Sequence, residues 1–250
     1  MIQSVERAMH LLNAVASAGD WVGVRELARV TDLKVPTAQQ LLKTLQACGY
    51  LEFDETTRRY RIGLAALLLG DGVDTLRHMA EFVQPYVARM FAELKETAAV
   101  LAMEQGKVIV VDWKQSNHAL SVAQPQRRVI EHSHCMASGK VLLAYQDEEF
   151  QRQYAQSEPL AELGPNTPAT VEELLEEFRK IRAAGLAESI DARSSGVAAF
   201  SAPVFGASGK IAMALACSAP MTRMNDAQAA KAKEMLLTIS HEMTNGLCAG

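Results

Sequence analysis

Pro36-Thr37-Ala38-Gln39-Gln40-Leu41-Leu42-Lys43-Thr44-Leu45 is followed, after Cys48-Gly49, by Tyr50-Leu51-Glu52-Phe53 and then by Arg58-Arg59-Tyr60-Arg61-Ile62. Pro36 suits the first turn of a helix, where its missing N–H has no partner to lose. Ala38, Leu41, Leu42 and Leu45 recur on one helical face, and Cys48-Gly49 ends the run. Tyr50 to Phe53 and Arg59 to Ile62 alternate as strands, with Asp54-Glu55-Thr56-Thr57 as turn residues between them. A helix therefore feeds a β-hairpin. Upstream, Val5, Ala8, Leu11, Leu12 and Val15 predict a helix stopped by Gly19-Asp20. A second short helix spans Val24 to Val30, and Thr31-Asp32 breaks it from the third. Helix, helix–turn–helix and hairpin together make a winged helix-turn-helix.

Downstream, residues 63–80 predict a connecting helix with Leu64, Leu67, Leu68 and Leu76 on its apolar side. Helices are then expected over residues 81–96, 138–145, 148–154 and 171–184, with a last one from Asp226 to Leu247. Strands are expected at residues 99–104, 108–112, 119–122, 186–191, 197–205 and 211–217. Strands joined in hairpins and bracketed by helices predict an α+β domain with an antiparallel sheet. The domain boundaries drawn from these patterns are a winged helix at 1–63, a linker helix at 64–80 and a second domain at 81–250.

Composition narrows the function. Of the 250 residues, 49% are apolar and 22% charged, enough for a sizeable core and unlike a disordered chain. The longest apolar run, near Leu64 to Leu69, is far below the roughly eighteen residues that span a bilayer. The start, Met1-Ile2-Gln3-Ser4-Val5-Glu6-Arg7, does not read as a signal peptide, so a cytoplasmic protein without a membrane partner is expected. Cys48, Cys135, Cys217 and Cys248 are scattered and give no zinc spacing. The net charge of −4 excludes a uniformly basic nucleic-acid coat. Residues 1–62, however, hold eight basic against seven acidic residues, and the remainder seventeen against twenty-two. The acidic excess belongs to the second domain.

Placement of the charge matters more than its sum. Arg58, Arg59 and Arg61 cluster on the hairpin, where they can meet phosphate oxygens or the minor groove. Asp54 and Glu55 could equally pair with them in an ordinary solvated hairpin. The helical period exposes Thr37, Gln39, Gln40, Lys43 and Thr44. Gln can pair bidentately with adenine, Thr can meet a phosphate or thymine methyl, and Lys43 can reach the backbone. Arg25, at the start of the second helix, joins these as a candidate contact to double-stranded DNA.

These residues resemble the IclR family of bacterial transcription regulators over nearly the whole chain. The resemblance is carried by Ser4-Val5-Glu6-Arg7-Ala8, Glu26-Leu27-Ala28, Leu41-Leu42-Lys43-Thr44-Leu45 and Gly49-Tyr50-Leu51 through Arg59-Tyr60-Arg61-Ile62-Gly63-Leu64. In the second domain it rests on His134 to Ala144 and on Ser201-Ala202-Pro203-Val204-Phe205 with Gly209. It implies an operator-binding winged helix, a GAF-like α/β effector-binding and oligomerisation domain, assembly as a homodimer or homotetramer, and no cofactor. Pro36-Thr37 and Gln40 stand where the family often has Ser-Thr and an Arg, so the operator sequence does not transfer.

The resemblance also implies an effector pocket. Ala137 and Ser138 would offer backbone N–H groups to an anion at a helix N-terminus. Ser189 and Asp191 lie on the strand where the family places acidic groups, and Ala199, Ala216 and Ser218 align with its Cys and two Ser. Two polar side chains are thus methyls, which disfavours a compact oxo-acid such as glyoxylate and favours a larger, flatter aromatic acid. Trp113, Met103 and Met213 are candidate walls, and His134 or Ser218 candidate partners for the ligand's polar end. Tight packing of the same residues in a filled core is the alternative. Two other functions compete. An enzyme would use His132, His134 and Cys135, with the two imidazoles sharing a strand face. A ligand-sensing or oligomerising module would keep the fold without DNA binding.

Overall fold

A computed structural model describes residues 2–71, 74–123, 129–157, 160, 167–192 and 196–249. Contacts divide the chain into two units, Met1–Arg77 and His78–Gly250.

In the first unit, α1 (Gln3–Ala18), α2 (Val24–Val30) and α3 (Val35–Ala47) enclose Leu11, Val15, Leu27, Ala38 and Leu42, all buried. The hairpin of β2 (Leu51–Asp54) and β3 (Arg59–Ile62) adds Leu51 and Tyr60 to that core. A short β1 (Val22–Gly23), absent from the sequence reading, pairs with β3 so that Gly23 faces Arg59. Leu41 is only half-buried, at the edge of the face that its spacing predicted. Gly63 must be glycine because a Cβ there would lie 2.4 Å from the carbonyl oxygen of Gly49. That close approach lets α4 (Leu64–Asp71) start directly from the wing.

The predicted linker and the helix after it differ in extent from the expectation. Helix α5 runs from Asp74 to Leu94 without a break at residue 80. Pro85 therefore lies inside it, where the hydrogen bond lost at its nitrogen is offset by burial of Val83, Val87 and Met90 on the sheet. Leu64 and Leu68 of α4 are exposed, and the side chains of Leu67 and Leu76 lie outside the described residues.

The second unit is a six-stranded antiparallel sheet among the described residues, in the order β6-β5-β4-β9-β8-β7. Its strands are β4 (Thr97–Glu104), β5 (Lys107–Lys114), β6 (Val129–Ile130), β7 (Ala187–Ile190), β8 (Val197–Phe205) and β9 (Ile211–Pro220). Alternation along the strands makes two cores. On one face Ala98, Val100, Phe200 and Leu215 meet α5 and the long α9 (Asp226–Ala249). On the other, Leu101, Val108, Ala187 and Ala214 meet α6 (Ala137–Ala144) and α8 (Val171–Ala184), beside α7 (Glu148–Ser157). Residues 119–122 do not form the expected strand. The carbonyl oxygen of Leu120 accepts instead from Arg223 at 2.7 Å, and β6 takes the place beside β5.

Candidate nucleic-acid interface and effector cavity

Helix α3 sorts its polar residues by angle. At about 100° per residue, Thr37, Gln40 and Thr44 fall within roughly 60° of one another, with Lys43 on one flank. Gln40, Lys43 and Thr44 are exposed, while Thr37 and Gln39 are half-buried. Gln39 lies about 100° from Gln40, on the same flank as Lys43 and beyond it. The Thr44 hydroxyl donates to the Gln40 carbonyl at 3.1 Å, leaving its methyl and the Gln40 amide outward. Arg25 is exposed on α2.

The wing arginines are not equivalent. Arg61 donates from Nε to Glu52 at 2.7 Å and stacks 4.7 Å from the Trp21 ring centre. Arg58 donates to Glu55 at 3.3 Å and lies over Phe53. Arg59 donates only to the Trp21 carbonyl, at 3.4 Å, and among the described residues it alone of the three lacks a carboxylate partner. The pairing expected of Asp54 is absent: its carboxylate accepts from Thr56 N–H and Thr57 hydroxyl, and the Thr57 bond chiefly holds its pKa below the usual value. Exposed ion pairs of this kind contribute about 0–1 kcal/mol, so a phosphate can displace either carboxylate.

In the second unit a cavity of about 390 Å³ opens between the sheet and α6. Of the nine effector candidates, seven line it: Trp113, Ala137, Ser138, Ser189, Ala199, Ala216 and Ser218. Strand pairing explains the convergence. Thr97 faces Ser218, Ser218 faces Ala199, and Ala199 faces Ser189, one row across four strands. The adjoining row places Trp113, Ala99 and Ala216 side by side. Above this floor α6 begins at Ala137, and no side-chain cap takes up its first N–H groups. Gly139 lets the 3-10 turn Ser133–Cys135 pack beneath α6, for a Cβ there would lie 2.0 Å from the Ser133 carbonyl oxygen. Ser189 donates to the Cys135 carbonyl at 2.7 Å, and Lys140 donates to Glu177 at 2.5 Å and to the Glu188 carbonyl at 3.3 Å. These bonds fix the 3-10 turn and α6 to β7, and α6 to α8.

Two candidates stand outside the lining. His134 is wholly buried, and its ring Nδ1 and backbone N–H both meet the Tyr154 hydroxyl, at 3.0 and 3.1 Å. Asp191 leaves β7 at φ 48° and accepts from the Gly196 N–H at 2.7 Å. Met213 points to the opposite core, one residue out of phase with Ala214 and Ala216. The sequence reading missed Thr97, Leu101 and Val110 of the lining. Thr97 was within reach of the alternation that joins Ala99 to Leu101, had the strand been started two residues earlier. His132 and His134 share no strand face: His132 is left-handed at φ 51° and His134 lies in the 3-10 turn, with ring centres 6.4 Å apart. That removes the geometry on which the enzyme reading depended.

Comparison with known proteins agrees with both halves of the chain. The IclR helix-turn-helix domain matches residues 4–55, and the bacterial transcriptional regulator IclR C-terminal domain matches residues 74–245. The transcriptional regulator BhcR of Paracoccus denitrificans is 24% identical over 98% of this chain and 88% of its own length. The transcriptional repressor IclR of Escherichia coli is 24% identical over 97% and 89%. A crystal structure of an IclR homolog from Microbacterium hydrocarbonoxydans, complexed with 4-hydroxybenzoate, superposes with a TM-score of 0.80 at 19% identity, covering 99% of this chain and all of the other. An IclR regulator structure from Silicibacter sp. TM1040 gives 0.85 at 24% identity over 98% and 96%. At such identity the structural likeness speaks to the fold alone. Among the described residues no helix is long and apolar enough to cross a membrane. With a helix-turn-helix profile and a C-terminal profile together spanning most of its length, the chain belongs to the IclR family of DNA-binding transcriptional regulators with an effector-binding C-terminal domain.

Proposed function

We propose that this regulator senses an aromatic acid and governs an operon for that acid's catabolism. The observation that supports this most is the cavity floor, where Ala99, Ala199 and Ala216 offer methyls beside Trp113. A compact oxo-acid needs a donor for each buried oxygen, and an unmet one costs about 1–3 kcal/mol. A flat ring is satisfied by methyls and an indole. Thr37, Gln40 and Lys43 would read the major groove, with Gln39 at its margin and Arg25 on the backbone. Arg58, Arg59 and Arg61 would follow the wing to phosphates or the minor groove. Trp113, Ala137, Ser138, Ser189, Ala199, Ala216 and Ser218 would hold the effector, with His134 and Asp191 supporting the walls from behind. The working unit is a homodimer or homotetramer, in which effector binding biases the spacing of two winged helices.

Gel-shift with DNA from upstream of the protein's own gene, with and without aromatic acids, tests both parts. The expected result is saturable, salt-sensitive binding whose midpoint moves with an aromatic acid and is indifferent to glyoxylate. Tight calorimetric binding of glyoxylate with none of aromatic acids would overturn the effector assignment. Absence of specific DNA binding at any site would favour a sensing module without an operator.

A further inference from the structure

Of the four aromatic side chains in the first unit, Tyr50, Phe53 and Tyr60 belong to its hydrophobic core. The fourth, Trp21, is half-buried and stands outside that cluster. It sits between Asp20 and β1. Its N–H donates to the Asp20 carboxylate at 2.7 Å, and its carbonyl accepts from Arg59 at 3.4 Å. A tryptophan outside the core gains from a specific partner rather than from full burial.

Strand register supplies that partner. Val22 faces Tyr60 and Gly23 faces Arg59, and the same antiparallel step carried one residue back sets Trp21 against Arg61. On the other side of β3, Arg61 faces Glu52. Paired residues share a sheet face, so Trp21, Arg61 and Glu52 form one row across the outer side of the wing. Val22 and Tyr60 turn inward and are buried. The two neighbours hold the Arg61 guanidinium by different parts. Glu52 accepts from Nε at 2.7 Å and lies 2.5 Å from Nη2, both on the edge of the fork. The Trp21 ring centre lies 4.7 Å from Cζ, beneath the face of the fork. Hydrogen bonds lie in the guanidinium plane and stacking lies across it, so the two contacts do not compete. A phosphate can take the place of Glu52 on the edge while the indole keeps the face.

We infer that Trp21 is a positioning residue of the DNA interface, whose ring holds Arg61 ready for a phosphate while Glu52 is exchanged for it. The inference rests on the proposed role of the wing and adds to it a residue that acts through another side chain. An exposed arginine released from its carboxylate regains its rotamers, and ordering it again offsets part of what the new contact contributes. The stacked guanidinium is ordered before the phosphate arrives. Trp21 carries no charge, so its effect lies in the strength of the Arg61 contact and not in the number of phosphates neutralised.

Fluorescence anisotropy of the full chain with a fluorescein-labelled duplex of random sequence at low salt tests this, because phosphate contacts do not depend on sequence. Trp21→Ala is expected to weaken binding about two- to fivefold with the salt slope unchanged. Arg61→Ala should weaken it and lower the slope by about one. In the Arg61→Ala background, Trp21→Ala should cost nothing further. Trp21→Leu, apolar but without a π face, should lose as much as Trp21→Ala, and Trp21→Phe should recover part of the loss. A ring that merely stabilised the first unit would lower affinity by the same factor with or without Arg61. Equal losses in the two backgrounds, or wild-type affinity in Trp21→Leu, would overturn the inference and leave the wing reading standing. The Leu and Phe variants decide it even if Trp21→Ala fails to fold. Arg61→Ala binding as tightly as the wild type would remove Arg61 from the interface, and the role of Trp21 with it.

Discussion

Among the described residues Arg59 differs from Arg58 and Arg61 in having no carboxylate to leave, and this sets what its removal does. Arg59→Ala should weaken binding to all DNA sequences alike and lower the salt slope of the logarithmic affinity by about one. Filter binding across a salt series measures both. Gln40 sits at the exposed centre of the α3 arc, where the proposed readout would distinguish bases. Gln40→Ala should cost about 1–3 kcal/mol at the operator and relax base preference, read by competition gel-shift with single-base operator variants. Full affinity together with full specificity would remove Gln40 from the readout. The four cysteines divide at the same scale: Cys48 and Cys248 are exposed, Cys135 and Cys217 buried. A chromogenic thiol reagent at pH 8 should titrate two thiols rapidly in the native protein and four after denaturation. Which polar residues on α3 and the wing are exposed was mostly legible from period alone. The ion pairs of Arg58 and Arg61 were legible only in outline, because partner choice on a hairpin depends on register: Glu52, opposite Arg61, wins over Asp54, which turns back to Thr56 and Thr57.

Helix α6 is held to its neighbours by an asymmetric pair. Lys140 is 3% exposed and its partner Glu177 is 28% exposed. Removing the lysine leaves a carboxylate that water can reach, whereas removing the glutamate strands an ammonium that water cannot. Glu177→Gln should therefore destabilise the protein more than Lys140→Met, with the latter falling below the roughly 3–5 kcal/mol of a wholly buried broken pair. Urea denaturation of the two variants checks the order. At this scale the sequence reading was strongest where alternation was long, as in β8 and β9, whose register also set the cavity floor. It failed at residues 119–122, where an apolar alternation lacked a neighbour to pair with. It also set the start of α5 too late, at residue 81, because Pro85 is tolerated well inside a helix whose apolar face is buried. His134 shows a third kind of limit. Its place beside Ala137 suggested a ligand contact, but a 3-10 turn rotates it to Tyr154, and no period announces such a turn.

The fold class and the order of elements could be read from the chain because hydrophobic period and turn residues agreed at each step. The cavity could not be read as a volume, since it is bounded by residues from eight separate segments that the folded sheet and α6 bring together. If effector and operator are coupled, the coupling must be reciprocal. The factor by which an aromatic acid changes operator affinity should equal the factor by which operator DNA changes affinity for that acid. Calorimetry of the acid with and without saturating operator gives the second factor, and gel-shift gives the first. Unequal factors would mean that the two assays follow different species, such as dimer and tetramer.

Gly139 also bears on how such a sensor changes its ligand. A side chain at that position would drive a Cβ to within 2.0 Å of a carbonyl oxygen, and Gly139→Ala should lose about 1–3 kcal/mol of stability, read by denaturant midpoint. The α6 end of the cavity is thus anchored by backbone packing that tolerates no experiment by mutation. Thr97, Ala199, Ala216 and Ser218 sit on the floor, where a hydroxyl can be exchanged for a methyl without moving a strand. Descendants of this protein are free to try new molecules one atom at a time on the floor, while the end beneath α6 stays as it is.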